Sequence, residues 1–252
     1  MTSNPTFVLV PGNFLPPSYY ASTAKLLESH GFPTRLVTIP STGSKSLLTS
    51  NEPDIIAVRD VLEELSDSGK EIIAVAHSYG SIPTCEAVEG LGTQERLELG
   101  KSGGVARLVL VAAWLLQEGE SPPAIIGRYR MEAPWARFKG GKIFADDPAY
   151  ALHNDTSADV AAYWSSYTNH SDLAAFATPL KHVAWRHIPN TYLLCELDRC
   201  IPPRVQEGML ASTEGTVRTV RLPSGHVPML SMPQKLVDIL REEAGKDSIK
   251  DH

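Results

Sequence analysis

The stretch Glu71-Ile72-Ile73-Ala74-Val75-Ala76-His77-Ser78-Tyr79-Gly80-Ser81 constrains this chain more than any other. An apolar run of strand length ends in a small residue. A serine follows two positions later, and a glycine two positions after that. A strand that turns sharply into a helix with a serine at its tip, a nucleophile elbow, needs this spacing. The residues flanking the serine at two positions are crowded by the turn, and Ala76 and Gly80 are both small. Glycine is the commoner residue at the first of these positions, so Ala76 departs mildly from the usual form. The serine backbone is expected to be strained there. A buried serine on an ordinary strand–helix connection shows the same local pattern, so the reading depends on what lies downstream.

The rest of the chain supplies a sheet around that turn. Residues 6–10 (Thr-Phe-Val-Leu-Val) read as a buried strand, broken by Pro11-Gly12-Asn13-Phe14. Residues 18–30 read as a helix with Ser18 as its N-cap. Residues 34–39 read as a strand and 40–50 as a Ser/Thr/Gly-rich loop. Ile55, Ile56, Val58, Val61, Leu62 and Leu65 recur at helical spacing. Beyond the strand at 72–76, a helix is expected over 78–91 and strands over 105–112, 192–195 and 217–222. An amphipathic helix over 228–243 closes the pattern, with a charged tail after Gly245 expected to fray. Apolar strands alternating with helices mean an α/β fold, with a mostly parallel central sheet covered on both faces.

The alternation stops between residues 116 and 187. No strong strand is visible there, and aromatic residues gather: Trp135, Tyr150, Trp164, Tyr167 and Trp185. Residues 159–167 and 172–177 look helical. A segment of about 70 residues is too long for a plain crossover. It reads as a helical cap inserted into the core, dividing the chain into core residues 1–115, cap residues 116–187 and core residues 188–252. A pair of irregular crossover helices is the alternative.

Charge and cysteine usage exclude several partners. The net charge is −6 and no basic run occurs, which argues against a nucleic acid or an anionic membrane surface. No apolar stretch reaches the roughly 18 residues of a membrane span, and residues 1–5 lack the positive start of a signal peptide. A cytoplasmic protein is expected. Cys85, Cys195 and Cys200 are too few for a disulfide framework; free thiols and a Cys195–Cys200 bridge both remain open. No His partner stands at ligand spacing, so neither a metal site nor another cofactor is expected.

Open α/β sheets bind ligands at the carboxyl ends of their strands, and four such ends carry chemistry here. Gly12-Asn13-Phe14 follows the first strand, Ser78 the third, Glu196-Leu197-Asp198 the strand at 192–195, and Ser224-Gly225-His226 the last. A serine hydroxyl is a poor nucleophile at neutral pH without a base in reach. His226 can be that base, and Asp198 can orient it and stabilise its charged form. An oxyanion hole needs two backbone N–H groups: those of Tyr79 and Asn13, with Gly12 allowing close approach. Glu196 is the rival acid, and Asp198 can instead be read as a charge at a helix N-terminus. His226 can be read as a simple loop histidine. His77 should point aside and line the elbow.

With these residues in view, the chain resembles the α/β-hydrolase superfamily. Within it, the chain is similar to the branch of plant methyl esterases and hydroxynitrile lyases and their fungal and bacterial relatives. The resemblance rests on residues 7–12 (Phe-Val-Leu-Val-Pro-Gly), 76–80 (Ala-His-Ser-Tyr-Gly), 192–195 followed by Asp198, and 225–233 (Gly-His-Val-Pro-Met-Leu-Ser-Met-Pro). Leu152-His153-Asn154-Asp155 and Trp185 add to it. It departs where Pro11-Gly12 replaces His-Gly, Phe14 a bulky tryptophan, and Asn13 a small residue.

The resemblance implies a serine hydrolase with a small-molecule substrate: a small to medium apolar ester, thioester or lactone. Phe14, Tyr79, Trp135, Trp164 and Leu230 are candidates for lining its pocket or, equally, for packing the cap. Catabolic, detoxifying and biosynthetic roles, secondary metabolism among them, stay open. So does a homodimer, since similar proteins pair through the cap. The other readings are a lyase or cyclase on the same fold, and a non-catalytic ligand-binding member. Against the lyase, Val227 stands where the plant lyases carry a lysine, and Asn13 where they carry a threonine; Lys181 is the nearest substitute cation.

Overall fold

The computed structural model describes residues 4–245; the first three residues and the charged tail expected to fray lie outside them. Its strands are β1 (Thr6–Val10), β2 (Thr34–Leu36), β3 (Glu71–His77), β4 (Gly104–Val111), β5 (Ala136–Lys139), β6 (Lys142–Ala145), β7 (Ser171–Asp172), β8 (Asn190–Cys195) and β9 (Arg218–Leu222). Six of them form one parallel sheet in the order β2-β1-β3-β4-β8-β9. β1, β4 and β8 are buried along their whole length, and β3 at every residue but Glu71. That is why they read as continuous apolar runs, each buried Val, Leu or Ile stabilising by about 1.5–3 kcal/mol. The edge strands β2 and β9 carry Thr and Arg and stay largely exposed.

Register sets the site. Val10 stands opposite Ala76, His77 opposite Val111, and Cys195 opposite Leu222. β1, β3, β8 and β9 therefore end along one edge of the sheet, and the loops bearing residues 12–14, 78, 196–198 and 224–226 leave from it. Helix Ala21–Ser29 packs against Pro233–Ala244, and Glu52–Asp67 against Ser81–Ala87. Glu52–Asp67 buries Val58, Leu62 and Leu65 on one face, while Ile56 is exposed.

Several elements differ from the sequence reading. Ser18 caps no helix: it lies in a 3-10 turn, Pro17–Tyr20, that Pro16 precedes without a side-chain cap. A proline at the first position brings no N–H that needs one. The helix expected over 78–91 is a 3-10 turn, Ser78–Gly80, and then Ser81–Ala87. A separate helix Thr93–Glu98 follows, its start held by Gly92 N–H donating to the Glu95 carboxylate. The last helix breaks at Met232, at φ −144° and ψ 56°, because Pro233 crowds the helical conformation of the residue before it. Helix Pro203–Ala211 was not anticipated.

The segment between β4 and β8 is not purely helical. Besides the short helices Pro122–Arg128, Pro148–Ala151, Ala158–Ser165 and Leu173–Ala177, it holds the antiparallel sheet β5-β6-β7. Gly140 and Gly141, at φ +58° and +75°, form the two-residue turn between β5 and β6. Two left-handed residues in succession are what a tight hairpin turn of matching twist requires. That Gly-Gly pair was the available signal, obscured because both strands have only four residues. Among the described residues, no helix is long and apolar enough to cross a membrane.

Candidate active site

Ser78 sits at the end of β3 with φ +52°, in the left-handed region that a non-glycine residue enters at a cost of about 1–3 kcal/mol. The surroundings impose that conformation. The Ser81 hydroxyl lies 2.8 Å from the Ser78 carbonyl and 2.9 Å from that of Trp114, tying the elbow to the loop after β4. At Gly80 the crowding comes from the end of β1. A Cβ there would lie 2.5 Å from the Pro11 carbonyl oxygen and 3.0 Å from that of Val10. Likewise a Cβ on Gly12 would lie 2.7 Å from the Ser78 Cβ. The elbow is pressed against the end of β1, and both glycines exist for that contact.

The loops after β8 and β9 bring Asp198 and His226 together. His226 Nδ1 is 2.8 Å from Asp198 Oδ2, with both residues buried, so Nδ1–H donates to the carboxylate and Nε2 is the ring nitrogen left over. The carboxylate is itself fixed. Oδ1 accepts from the backbone N–H groups of Cys200 (2.7 Å) and Ile201 (2.9 Å), and Oδ2 from Gln206 Nε2 (3.1 Å). Gln206, wholly buried on Pro203–Ala211, also donates to the Ile201 carbonyl and accepts from Cys195 N–H. The rival acid Glu196 is exposed and ion-paired with Arg221. Burial alone would lower the His226 pKa. The charge of Asp198, with the Cys200 side chain beside the ring, outweighs it and holds the pKa well above the ordinary histidine value.

His77 does point aside. Burial, and next the charge of His226, hold its pKa well below the ordinary value. The neutral ring donates from Nε2 to the His226 carbonyl at 2.8 Å, with the two imidazole centroids 4.6 Å apart. The residue before Ser78 thus braces the loop of His226. Residues of the long insertion brace it from the other side. Asn154 Nδ2 donates to the Leu197 carbonyl (2.9 Å), and Asp155 Oδ2 accepts from Gly225 N–H (2.6 Å). One dipeptide therefore ties together the loops of Asp198 and His226. A Cβ on Gly225 would lie 2.6 Å from oxygens of both side chains.

The loop after β1 is held in a similar way. Phe14 has φ +71°, and its N–H donates to Ser171 Oγ of β7 at 3.0 Å. The N–H of its neighbour Asn13 donates to no other group among the described residues. Tyr79 turns its hydroxyl away from Ser78 to donate to Asp54 Oδ2 (2.6 Å), whose Oδ1 accepts from Ser41 N–H. Burial raises the pKa of both Asp54 and Tyr79. Sequence reasoning passed over Asp54, Ser171 and Gln206, and met Asp155 only within the phrase at 152–155 that adds to the resemblance. A charged residue at position 54, on the inward face of an amphipathic helix, was the one local clue.

A narrow cavity, open at its mouth, lies over Ser78. Its lining includes Phe14 and Trp114 from the sheet loops and Met131, Trp135 and Phe176 from the insertion, with Asn13, Cys200 and Ser78. Cys200 also lies beside His226, so the imidazole neighbours one of the residues that line the cavity. Phe138 stands at the rim, 60% exposed. Trp164 and Leu230 lie elsewhere. Trp164 packs on Tyr19 with centroids 4.5 Å apart, and Leu230 is half-buried against the core. Lys181 is exposed. Cys85, Cys195 and Cys200 are free and buried, so no bridge joins the last two. Among the described residues, no group of three or more His, Cys, Asp or Glu side chains could hold a metal.

Comparison with known proteins agrees with this architecture. A probable hydrolase, R7, from a Phoma species is 34% identical over 250 residues, covering 96% of this chain and 99% of its own. The alpha/beta hydrolase nvfD of Aspergillus novofumigatus is 31% identical over 245 residues, covering 96% and 97%. Among solved structures, polyneuridine aldehyde esterase superposes with a TM-score of 0.76 at 16% identity, covering 96% of this chain and 99% of that one. A pyrethroid hydrolase of Sphingobium faniae superposes with a TM-score of 0.71 at 20% identity, covering 95% and 97%. The family model described as the alpha/beta hydrolase family matches residues 7–239. With a serine-tipped turn at the end of β3 and Asp and His on the loops after β8 and β9, this chain belongs to the alpha/beta hydrolase family.

Proposed function

We propose that the protein is a serine hydrolase with Ser78, His226 and Asp198 as its triad, acting on small to medium apolar esters, thioesters or lactones. One observation carries the reading: a buried, doubly braced His226–Asp198 pair lies beside Cys200, a residue of the apolar cavity that a strained Ser78 also lines. The fungal relatives named as hydrolases and the esterase among the structural neighbours support it. His226 Nε2 takes the proton of Ser78 Oγ as the oxygen attacks the acyl carbon. The oxyanion that forms receives the N–H groups of Asn13 and Tyr79. His226 returns the proton to the leaving alcohol or thiol. A water, deprotonated by the same imidazole, then attacks the acyl-enzyme and releases the acid. Residues 116–187 act as the cap that walls off this site.

A lyase that expels cyanide would need a cation near His226. Val227 is a buried apolar neighbour, and no Lys or Arg is among the residues lining the cavity; an uncompensated anion there costs several kcal/mol. Ester turnover without cyanohydrin cleavage is expected. A fluorophosphonate probe should add one adduct at Ser78, and Ser78→Ala should lose both the adduct and at least about 10³-fold of kcat. An intact mass without adduct, where a control esterase is labelled, overturns the reading.

A further inference from the structure

Two residues that line this otherwise apolar cavity each hold a buried polar atom without a partner. Trp135 is 7% exposed and lines the cavity together with Ser78, yet its indole N–H has no partner. Asn13, also 7% exposed, lines the same wall, and its amide oxygen is likewise unpartnered. Edge-to-face packing on Phe14, with centroids 6.1 Å apart at 89°, fixes the Trp135 ring. Its backbone carbonyl accepts from Asp146 N–H at 2.8 Å. The amide of Asn13 can present either a donor or an acceptor, but an indole N–H is a donor only. Buried donors in native proteins almost always have a partner, and leaving one unmade is costly. The fourth tryptophan in the fold shows the contrast: Trp185, equally buried, donates from Nε1 to the Leu116 carbonyl at 3.2 Å.

The geometry points to Trp135 as a specificity-determining residue whose indole N–H receives a second oxygen of the substrate, separate from the scissile carbonyl. The inference rests on the hydrolase reading above and narrows its substrate class. The preferred ester is not a plain hydrocarbon ester but one whose acyl part bears an acceptor such as a ketone oxygen. A site built to donate a hydrogen bond discriminates against the analogue that lacks the acceptor, because the buried donor is then left unpaired. The rest of the wall, Phe14, Trp114, Met131 and Phe176, still demands an otherwise apolar molecule.

The test compares ethyl hexanoate with ethyl 3-oxo-, 4-oxo- and 5-oxohexanoate, esters of one length that differ in where an acceptor stands. At least one oxo ester should exceed the plain ester about tenfold in kcat/KM. Trp135→Phe should bring that ratio to within about threefold of unity, and Trp135→His, which retains a ring N–H, should restore part of it. A preference that survives Trp135→Phe, or no preference among the four esters because a trapped water satisfies the indole, overturns the inference. Calorimetric binding of the same four esters to the Ser78→Ala protein, with Trp135 present, reads the preference without catalysis and without a variant that must fold around a smaller ring. If no ester is hydrolysed but Ser78→Ala protein binds an oxo ester preferentially, the hydrolase reading fails and the donor role stands. Hydrolysis of all four with no preference in either measurement leaves the hydrolase reading and removes this one.

Discussion

The six-stranded sheet and the insertion between β4 and β8 meet at one cavity, and they are built by different means. The sheet is parallel, buried and register-locked, and it delivers Ser78, Asp198 and His226 from strand ends whose positions follow from β1, β3, β8 and β9 alone. The insertion is made of short elements around a three-stranded antiparallel sheet, with Phe138, Tyr163 and Tyr167 exposed. It contributes walls, Met131, Trp135 and Phe176, and hydrogen bonds to loops it does not own. The difference teaches a division of labour. The groups proposed to react sit where backbone geometry is stiffest, while the cavity walls and the bracing bonds from the insertion sit where the chain tolerates change.

Changes to the reacting groups should have the largest effects. Asp198→Asn should lower kcat/KM by about 10³–10⁴-fold, since the imidazole loses both its orientation and its countercharge. In the parent protein the base must be neutral and its pKa is raised. Ester turnover should therefore climb with pH on an acid limb above the ordinary value of about 6.5, and Asp198→Asn should move that limb down. Stability runs the opposite way. The charged pair stabilises the fold fully below the unfolded histidine pKa, and the gain disappears as pH rises through the raised folded value. Urea midpoints of the two proteins should therefore differ more at pH 6 than at pH 10. A constant difference would show that the carboxylate acts only sterically.

Next in size is the contact between the elbow and β1. Gly12→Ala puts a methyl 2.7 Å from the Ser78 Cβ and 3.0 Å from His77 Nδ1. It should cost about 1–3 kcal/mol of stability and reduce kcat far more than it changes KM. Thermal melts and steady-state kinetics on the same preparation read both. A silent Gly12→Ala would mean that the loop has room to withdraw from Ser78.

The bracing from the insertion should matter less. Asp155→Ala frees Gly225 N–H and should cut kcat about tenfold through a looser His226 loop, as loss of a positioning contact does. Asp155→Asn, which keeps an acceptor oxygen, should recover most of the loss. Equal damage from both would assign the role to charge instead of to the hydrogen bond. Smallest of all, Phe138→Ala at the exposed rim should raise KM less than about threefold and leave stability within about 0.5 kcal/mol. A large kcat effect there would mean that the rim closes over the reaction, and the division drawn above would fail.

Much of the sheet, and the strand ends that bear Ser78, Asp198 and His226, was legible in the chain. Strands buried on both faces must be apolar throughout, so β1, β3, β4 and β8 showed themselves as runs. The serine turn needs small residues at fixed offsets, and the two later strand ends each carried an acid or a histidine. The insertion was harder to read. Of the four-residue strands, β5 is mostly exposed and β6 mostly half-buried, and strands so short leave little periodicity. Helix Pro203–Ala211 was overlooked although Gln206, on its buried face, helps to pin Asp198. Trp164 and Trp135 look alike as sequence, and only packing puts one against Tyr19 and the other at the cavity.

The sequence by itself determined the parallel α/β sheet, the elbow at Ser78 and the succession of serine, acid and histidine, because each depends on residues near one another in the chain. The tertiary structure alone decided what braces them. Phe14 is anchored by Ser171, 157 residues away, and Gly225 by Asp155, 70 residues away, while Tyr79 rests on Asp54, 25 residues earlier. Such bonds have no spacing rule, since a side chain's partner across the fold is fixed by where the backbone has already been packed, and that is set by the burial of the whole core.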